Sequence, residues 1–252
     1  MDEATLHTTL AWAEIGIAVP TALALFWINA PYGRHVRDGW GPTLPARWGW
    51  ILMELPACVG VAVVYSFGAH RAEITPLVLL AFWQLHYVHR TFVFPFRMRA
   101  AGKRMPLSIP LMAIVFNSLN AYVNARWISH LGTYGPEWLL DPRMIAGAAL
   151  FLTGMAVNLH ADTVLIGLRK PGESGYKIPE GGLYRWISNP NYFGELIEWL
   201  GWAVMTWSLA GTAFAIYTAA NLVPRAIANH RWYREKFEDY PAQRRAIVPF
   251  VL

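Results

Sequence analysis

Seven long apolar runs separated by short polar connectors set the pattern of this chain. They extend roughly from Thr8 to Asn29, Trp48 to Phe67, Pro76 to Phe94, Leu107 to Ala125, Arg143 to Leu159, Tyr192 to Trp207 and Gly211 to Arg231. A helix needs about 20 mainly apolar residues to cross a bilayer. The pattern therefore predicts an all-α, polytopic membrane protein with seven transmembrane helices. The sixth run is short for a crossing and the seventh ends in charge, which blurs their boundaries. No internal repeat, low-complexity tract or composition break divides residues 1–252, which read as a single membrane-embedded domain.

The connectors orient the runs. Arg34, Arg37 and Arg47 follow the first run, and Arg97, Arg99, Lys103 and Arg104 follow the third. The fifth connector is basic and rich in glycine, and the tail carries Arg231, Arg234, Lys236, Arg244 and Arg245. The even connectors hold fewer cations, offset by Glu73, Glu137 and Asp141. Cytoplasmic loops collect Lys and Arg, so the N-terminus is expected outside and the C-terminus in the cytoplasm.

Composition supports a membrane class: 55% of residues are hydrophobic and 15% charged, against roughly 25% charged in soluble domains. The net charge of +5 raises nucleic acid as a partner. The cations lie between apolar runs and not on a polar face, so membrane-surface charge accounts for them. The single cysteine, Cys58, excludes an intrachain disulfide. Asp2 and Glu3 stand where a secretory signal carries basic residues, so the first run reads as a retained helix.

The polar residues inside and beside these runs carry the candidate chemistry. From Leu168 to Trp199 a polar, basic segment runs into an apolar helix bearing Glu195 and Glu198. Lys170 to Gly175 and Pro179 to Gly182 supply turns, and Arg169, Lys170, Lys177 and Arg185 supply positive charge. Such a loop suits either an anionic ligand at the membrane face or a solvated connector. Glu54 sits mid-run, where a carboxyl is costly unless protonated or paired. Tyr87 lies between His86 and His89, and Asn117, Asn120 and Asn124 recur at helical spacing. Asn158, His160 and Asp162 close the fifth run, and Arg225 lies in the last. The plain alternative for such groups is interhelical hydrogen bonding. His86 and His89 form one HxxH pair, but no HExxH or CxxC accompanies it, so no metal is expected. No GxGxxG is present, so a nucleotide would need another kind of cradle.

Three longer stretches add a resemblance. NLHADTVLIGLRKPGESGYKIPEGGLYRWISNPNYFGELIEW, LHYVHRTFVFPF and the ending NHRWYREKFEDYPAQRRAIVPFVL together resemble the steroid 5α-reductase family, bacterial members included, over nearly the whole chain. The resemblance implies a seven-helix bundle that uses NADPH to reduce the carbon–carbon double bond of an α,β-unsaturated ketone. The first expectation for the substrate is a 3-oxo-Δ4-steroid, with other lipid enones open. It implies that Glu54 and Tyr87 polarise the carbonyl, because donors aimed at that oxygen stabilise the developing enolate. It carries over a cofactor set of Asn158, Asp162, Arg169, Tyr176, Asn191, Glu195, Arg225 and Tyr233, concentrated in residues 155–252. Arg90, Arg99, Lys103 and Arg104 are its candidates for the 2′-phosphate. Either water or Tyr87 could protonate the enolate carbon.

Two departures stand out. Met53 occupies a position where the better-known steroid enzymes carry Gln, and it cannot donate a hydrogen bond. Asn229 precedes a lone His230 where several histidines are common. The SNPNYFGE segment also looks like an element of isoprenylcysteine and phospholipid methyltransferases, which bind S-adenosylmethionine. A non-catalytic lipid-binding relative is a third reading. The expected setting is a multi-pass membrane protein among membrane lipid, in the plasma membrane or the endoplasmic reticulum.

Overall fold

A computed structural model describes residues 1–28, 39–100, 102–169, 173 and 175–252. Arg34, Arg37 and Lys170, three of the cations read as orienting charge or as loop charge, lie outside the described residues, as does Asn29 at the end of the first run.

Helix α1, Glu3–Trp27, opens on Asp2, whose carboxylate accepts the Thr5 amide at 2.8 Å. Strand β1, Thr43–Pro45, leads into α2, Ala46–Ser66. Pro56 lacks an amide proton, and there one turn of α2, Pro56–Gly60, widens into a π turn. Helix α3, Ile74–Val88, continues through a second π turn, His89–Val93, into the helical turn Phe94–Arg97. Strand β2, Arg104–Pro106, pairs antiparallel with β1, with Leu44 opposite Met105. It ties the start of α2 to the start of α4, Ser108–Arg126. Helix α5, Pro142–Gly167, starts at Asp141, which accepts the Arg143 amide at 2.8 Å. A 3-10 turn, Gly182–Arg185, precedes α6, Pro190–Thr206. Helix α7, Leu209–Lys236, is capped by the Ser208 hydroxyl.

Each of the seven apolar runs falls on one of these helices. Three, α1, α2 and α5, are long and apolar enough to cross a bilayer by length and composition alone. The other four are compromised by what they carry. The π turn interrupts α3. Three asparagines lower the hydropathy of α4. Helix α6 has 17 residues and two glutamates, and α7 ends in charge. The two-stranded sheet is absent from the all-helical expectation, because three-residue strands leave no alternation to read.

The core is aromatic. Trp83 of α3 packs on Tyr87, Trp199, Trp202 and Phe214, with ring centroids 5.0–5.5 Å apart. These contacts join α3, α6 and α7, and Phe151 of α5 meets Trp199 edge-on. Beside this cluster α5 and α6 touch backbone to backbone. A Cβ at Gly147 would fall 2.5 Å from the Met205 nitrogen, and one at Gly154 2.4 Å from the Glu198 nitrogen. From the other side, Gly194 and Gly201 meet the Asn158 and Phe151 nitrogens in the same way, each at 2.5 Å. Four small residues, two on each helix and seven apart, thus set the helix separation, as small residues do in membrane bundles. That separation fixes where the polar ends of α5 and α6 meet.

Candidate active site

Four helices bring their polar residues to one place. On α2, Glu54 directly precedes the turn distorted at Pro56. Asn117 of α4 donates its amide to the Met53 carbonyl at 2.6 Å and fixes the adjoining backbone. From the π turn after α3, Arg90 reaches into the middle of three carboxylates. Its Nε lies 3.7 Å from Glu54 Oε1, its Nη1 3.6 Å from Asp162 Oδ2 and its Nη2 3.7 Å from Glu195 Oε2. The guanidinium also stacks over the Trp50 ring at 4.6 Å and the Phe94 ring at 4.9 Å. These aromatic walls make a rigid socket that a lysine could not fill equally.

Tyr87 lies on α3, three residues before Arg90, buried between Trp83 and Trp199. Next to it His86 Nδ1 meets Glu198 Oε1 at 2.8 Å, both side chains being almost fully buried. This pair links α3 to α6 immediately behind the tyrosine. Neither partner belongs to the carried-over set, although both are polar residues in apolar runs.

The α5–α6 seam supplies an amide network. Asn158 donates Nδ2 to the Asn191 carbonyl at 3.0 Å, and Asn191 donates Nδ2 to Asp162 Oδ1 at 3.1 Å. On α7 Arg225 donates to Asn221 Oδ1 at 2.9 Å and to the Tyr192 hydroxyl at 3.0 Å. Tyr192 and Asn221 are therefore neighbours of the candidate set that residue type alone did not reveal.

The loop cations form a second group. Arg169 donates to the Gly175 carbonyl at 2.8 Å and lies over the Tyr176 ring, which meets Trp232 edge-on. Arg99 donates to the Ile166 carbonyl at the end of α5. Burial and then the neighbouring Arg169 guanidinium push Lys103 below the usual lysine range. Like charges held together in this way suit a multiply charged anion such as a phosphate.

Three of the expected residues make other contacts. The Arg90 guanidinium lies among three carboxylates at 3.6–3.7 Å. Arg104 donates to the Thr43 hydroxyl and carbonyl at 2.7 and 2.6 Å and joins β1 to β2. Tyr233 stacks on Tyr240 at 5.3 Å. The asparagines of α4 divide their work. Asn117 serves α2, while Asn124 donates to Asn120 Oδ1 at 2.7 Å and accepts from Trp202 Nε1 at 2.8 Å. Among the described residues no group of three or more His, Cys, Asp or Glu side chains is arranged to hold a metal ion.

Residues 103–252, more than half of the chain, match the family model described as 3-oxo-5-alpha-steroid 4-dehydrogenase. The chain belongs to this family. Its relatives include proteins of plants and animals. It is 45% identical over 255 residues to steroid 5-alpha-reductase DET2 of Gossypium hirsutum, covering 99% of this chain and 98% of the relative. It is 44% identical over 258 residues to 3-oxo-5-alpha-steroid 4-dehydrogenase 1 of Bos taurus, with 99% and 98% covered. The human 3-oxo-5-alpha-steroid 4-dehydrogenase 1 is 42% identical over 251 residues, with 99% and 96% covered. The matches run from the first helix to the last, so the Glu54 and Arg90 region lies inside them together with the basic loop. Family membership makes the chain an oxidoreductase of steroid metabolism, and its three candidate membrane-crossing helices fit a membrane enzyme.

Proposed function

We propose that this chain reduces the Δ4 bond of a 3-oxo-Δ4-steroid with NADPH, and that Glu54 and Tyr87 polarise the 3-oxo group. The observation that carries the reading is the junction at Arg90, three residues after Tyr87, where groups from α2, α5 and α6 meet its guanidinium. The names of the relatives favour it over the methyl-transfer reading. The cation group at Arg169, Arg99 and Lys103 fits the phosphates of a dinucleotide. The Asn158, Asn191 and Asp162 network and the Arg225 and Tyr192 pair offer hydrogen-bonding groups for its ribose and carboxamide ends.

When bound, the reduced nicotinamide would supply a hydride to the β-carbon of the enone. Negative charge then develops on the 3-oxo oxygen, and hydroxyl donors aimed at it lower the barrier. Tyr87 is held by its aromatic walls and offers one donor. Three carboxyls share one guanidinium, so a proton retained on Glu54 reduces the excess negative charge of the cluster and gives a second donor. The His86 and Glu198 pair keeps Tyr87 in place from behind. Addition of a proton at the α-carbon completes the saturated ketone. The tryptophans around Tyr87 exclude water from the reacting atoms.

The same reading places seven spans in the bilayer, with the N-terminus outside and the C-terminus in the cytoplasm. The connector charges support it. The deciding measurement is NADPH consumption by the purified protein in detergent, with a panel of 3-oxo-Δ4-steroids and other lipid enones. Tyr87→Phe is expected to lower turnover about 100- to 1000-fold, the usual cost of one oxyanion donor, while NADPH affinity stays within about twofold of wild type. Near-normal turnover in this variant and in Glu54→Ala would remove both residues from the chemistry.

A further inference from the structure

Helix α5 has an apolar groove along its outer face, and the groove straddles the depth at which the helix leaves the membrane. The outer end of the helix is marked by Arg143, which stacks over Trp138 at 4.2 Å and Trp207 at 5.4 Å. Aromatic and basic residues of this kind settle at the membrane–water boundary. A crossing takes about 20 residues. Counted from Arg143, the hydrocarbon therefore ends near Asp162. Leu152, Ala156 and Val157 lie inside the apolar zone, and His160 lies at its edge.

Over that edge folds the 3-10 turn Gly182–Arg185. A Cβ on Gly182 would sit 2.6 Å from His160 Nε2, so the turn rests directly on the imidazole, and a side chain there would push it away. Between the helix and the turn lies a cavity of about 690 Å³ lined by Leu152, Ala156, Val157, His160, Arg185 and Trp186, among others. That size is within the range of small-molecule sites. Its lower part is apolar, and its upper rim carries one guanidinium and one imidazole. Among the described residues, neither Arg185 nor His160 has a hydrogen-bond or ion-pair partner. Beside the rim Trp186, Phe250 and Val251 are exposed, at 41%, 76% and 77%, and the Trp186 and Phe250 rings approach to 6.3 Å. Large apolar side chains fully in water at this point would have no partner. At the headgroup level they are in their preferred layer.

We infer that this groove is a binding site for an anionic phospholipid. One acyl chain lies along Leu152, Ala156 and Val157, and the phosphate sits against Arg185 and His160. Trp186 and Phe250 flank the headgroup. The site is separate from the proposed dinucleotide cradle and does not depend on the reductase reading. A bound lipid would brace the Gly182–Arg185 turn, which leads through Ile187 to Asn189 and the start of α6. Lipid occupancy would thereby support the helix that carries Asn191 and Glu195.

The test uses the full chain in detergent, stripped of lipid. It is titrated with phosphatidylglycerol or phosphatidylcholine of identical acyl chains, with inorganic phosphate as a third arm. Bound lipid is counted by native mass spectrometry, and thermal unfolding is followed in parallel. Phosphatidylglycerol is expected to bind about fivefold tighter than phosphatidylcholine, the usual contribution of one basic residue near an anionic headgroup. Arg185→Gln should abolish that preference, and Arg185 is exposed enough for the change not to threaten folding. Ala156→Trp, also at an exposed position, should fill the groove and weaken both lipids. Arg234→Gln, a cation elsewhere on the chain, should leave the preference intact. Survival of the preference in Arg185→Gln would overturn the proposal. Undiminished binding to Ala156→Trp would do so too, by reducing the effect to general surface charge. Equal stabilisation by inorganic phosphate would make this an anion site with no role for the acyl chain.

Discussion

Replacing Gly154 by alanine adds one carbon, and the structure leaves no room for it. The new Cβ would fall 2.4 Å from the Glu198 nitrogen, 2.5 Å from the Gly194 carbonyl oxygen and 2.8 Å from the Glu198 Cα. All three are backbone atoms, so no side chain can rotate aside. Helices α5 and α6 must separate by about 1 Å to reach ordinary contact. Overpacking of this kind costs roughly 1–3 kcal/mol. The separation also stretches the Asn158–Asn191 bond from 3.0 Å and the Asn191–Asp162 bond from 3.1 Å. Both then exceed hydrogen-bond length, at about 1 kcal/mol each. The expected loss is therefore about 3–5 kcal/mol of stability. Turnover should fall about 100-fold, because a misplacement of about 1 Å has that effect on a positioned site. The measurements are the unfolding temperature in detergent and steroid-dependent NADPH consumption. Gly16→Ala is the control: it lies in α1 with nothing within 4 Å of its added carbon, and alanine there should be neutral or slightly stabilising. If Gly154→Ala behaves like Gly16→Ala in both assays, the close backbone approach of α5 and α6 is wrong.

Three further outcomes are expected. Arg169→Ala should weaken NADPH binding about tenfold or more, through loss of a charge-assisted phosphate contact. Unchanged affinity would leave Arg169 only its bond to the Gly175 carbonyl. Asp141 is pushed down to about 2 from 3.8 by the Arg143 guanidinium and then the Arg143 amide. Its contribution is complete above about pH 4 and is lost as pH falls through about 2, so the unfolding temperatures of wild type and Asp141→Ala should converge over that window; parallel curves would refute the pairing. Single cysteines at Lys103 and Lys177, in a Cys58→Ala background, should label from the same side of the membrane, and one at Glu137 from the other. Labelling of positions 103 and 177 from opposite sides would break the seven-span topology.

The helices were legible because long apolar runs have one solution in a bilayer, and the turn residues between them have few alternatives. Glu54, Tyr87, Asp162 and Glu195 were legible as polar residues that an apolar run tolerates only with partners. Their partners were not. Along the sequence Glu54 is a lone mid-helix acid, and Arg90 falls among the loop cations, because it stands seven residues before Arg97 at the end of the same run. Its three partners stand on α2, α5 and α6, far from it along the chain, so no local spacing reveals them. The same applies to the seam between α5 and α6. Gly147 and Gly154 read singly as weak helix formers, and their spacing gains meaning only beside Gly194 and Gly201 on another helix. The chemistry proposed for Glu54 depends on this non-local geometry. Arg90 arrives from the turn after α3 and is set among Glu54, Asp162 and Glu195. One guanidinium among three carboxylates leaves them to compete for a single charge, so the role proposed for Glu54 rests on Asp162 and Glu195 as well.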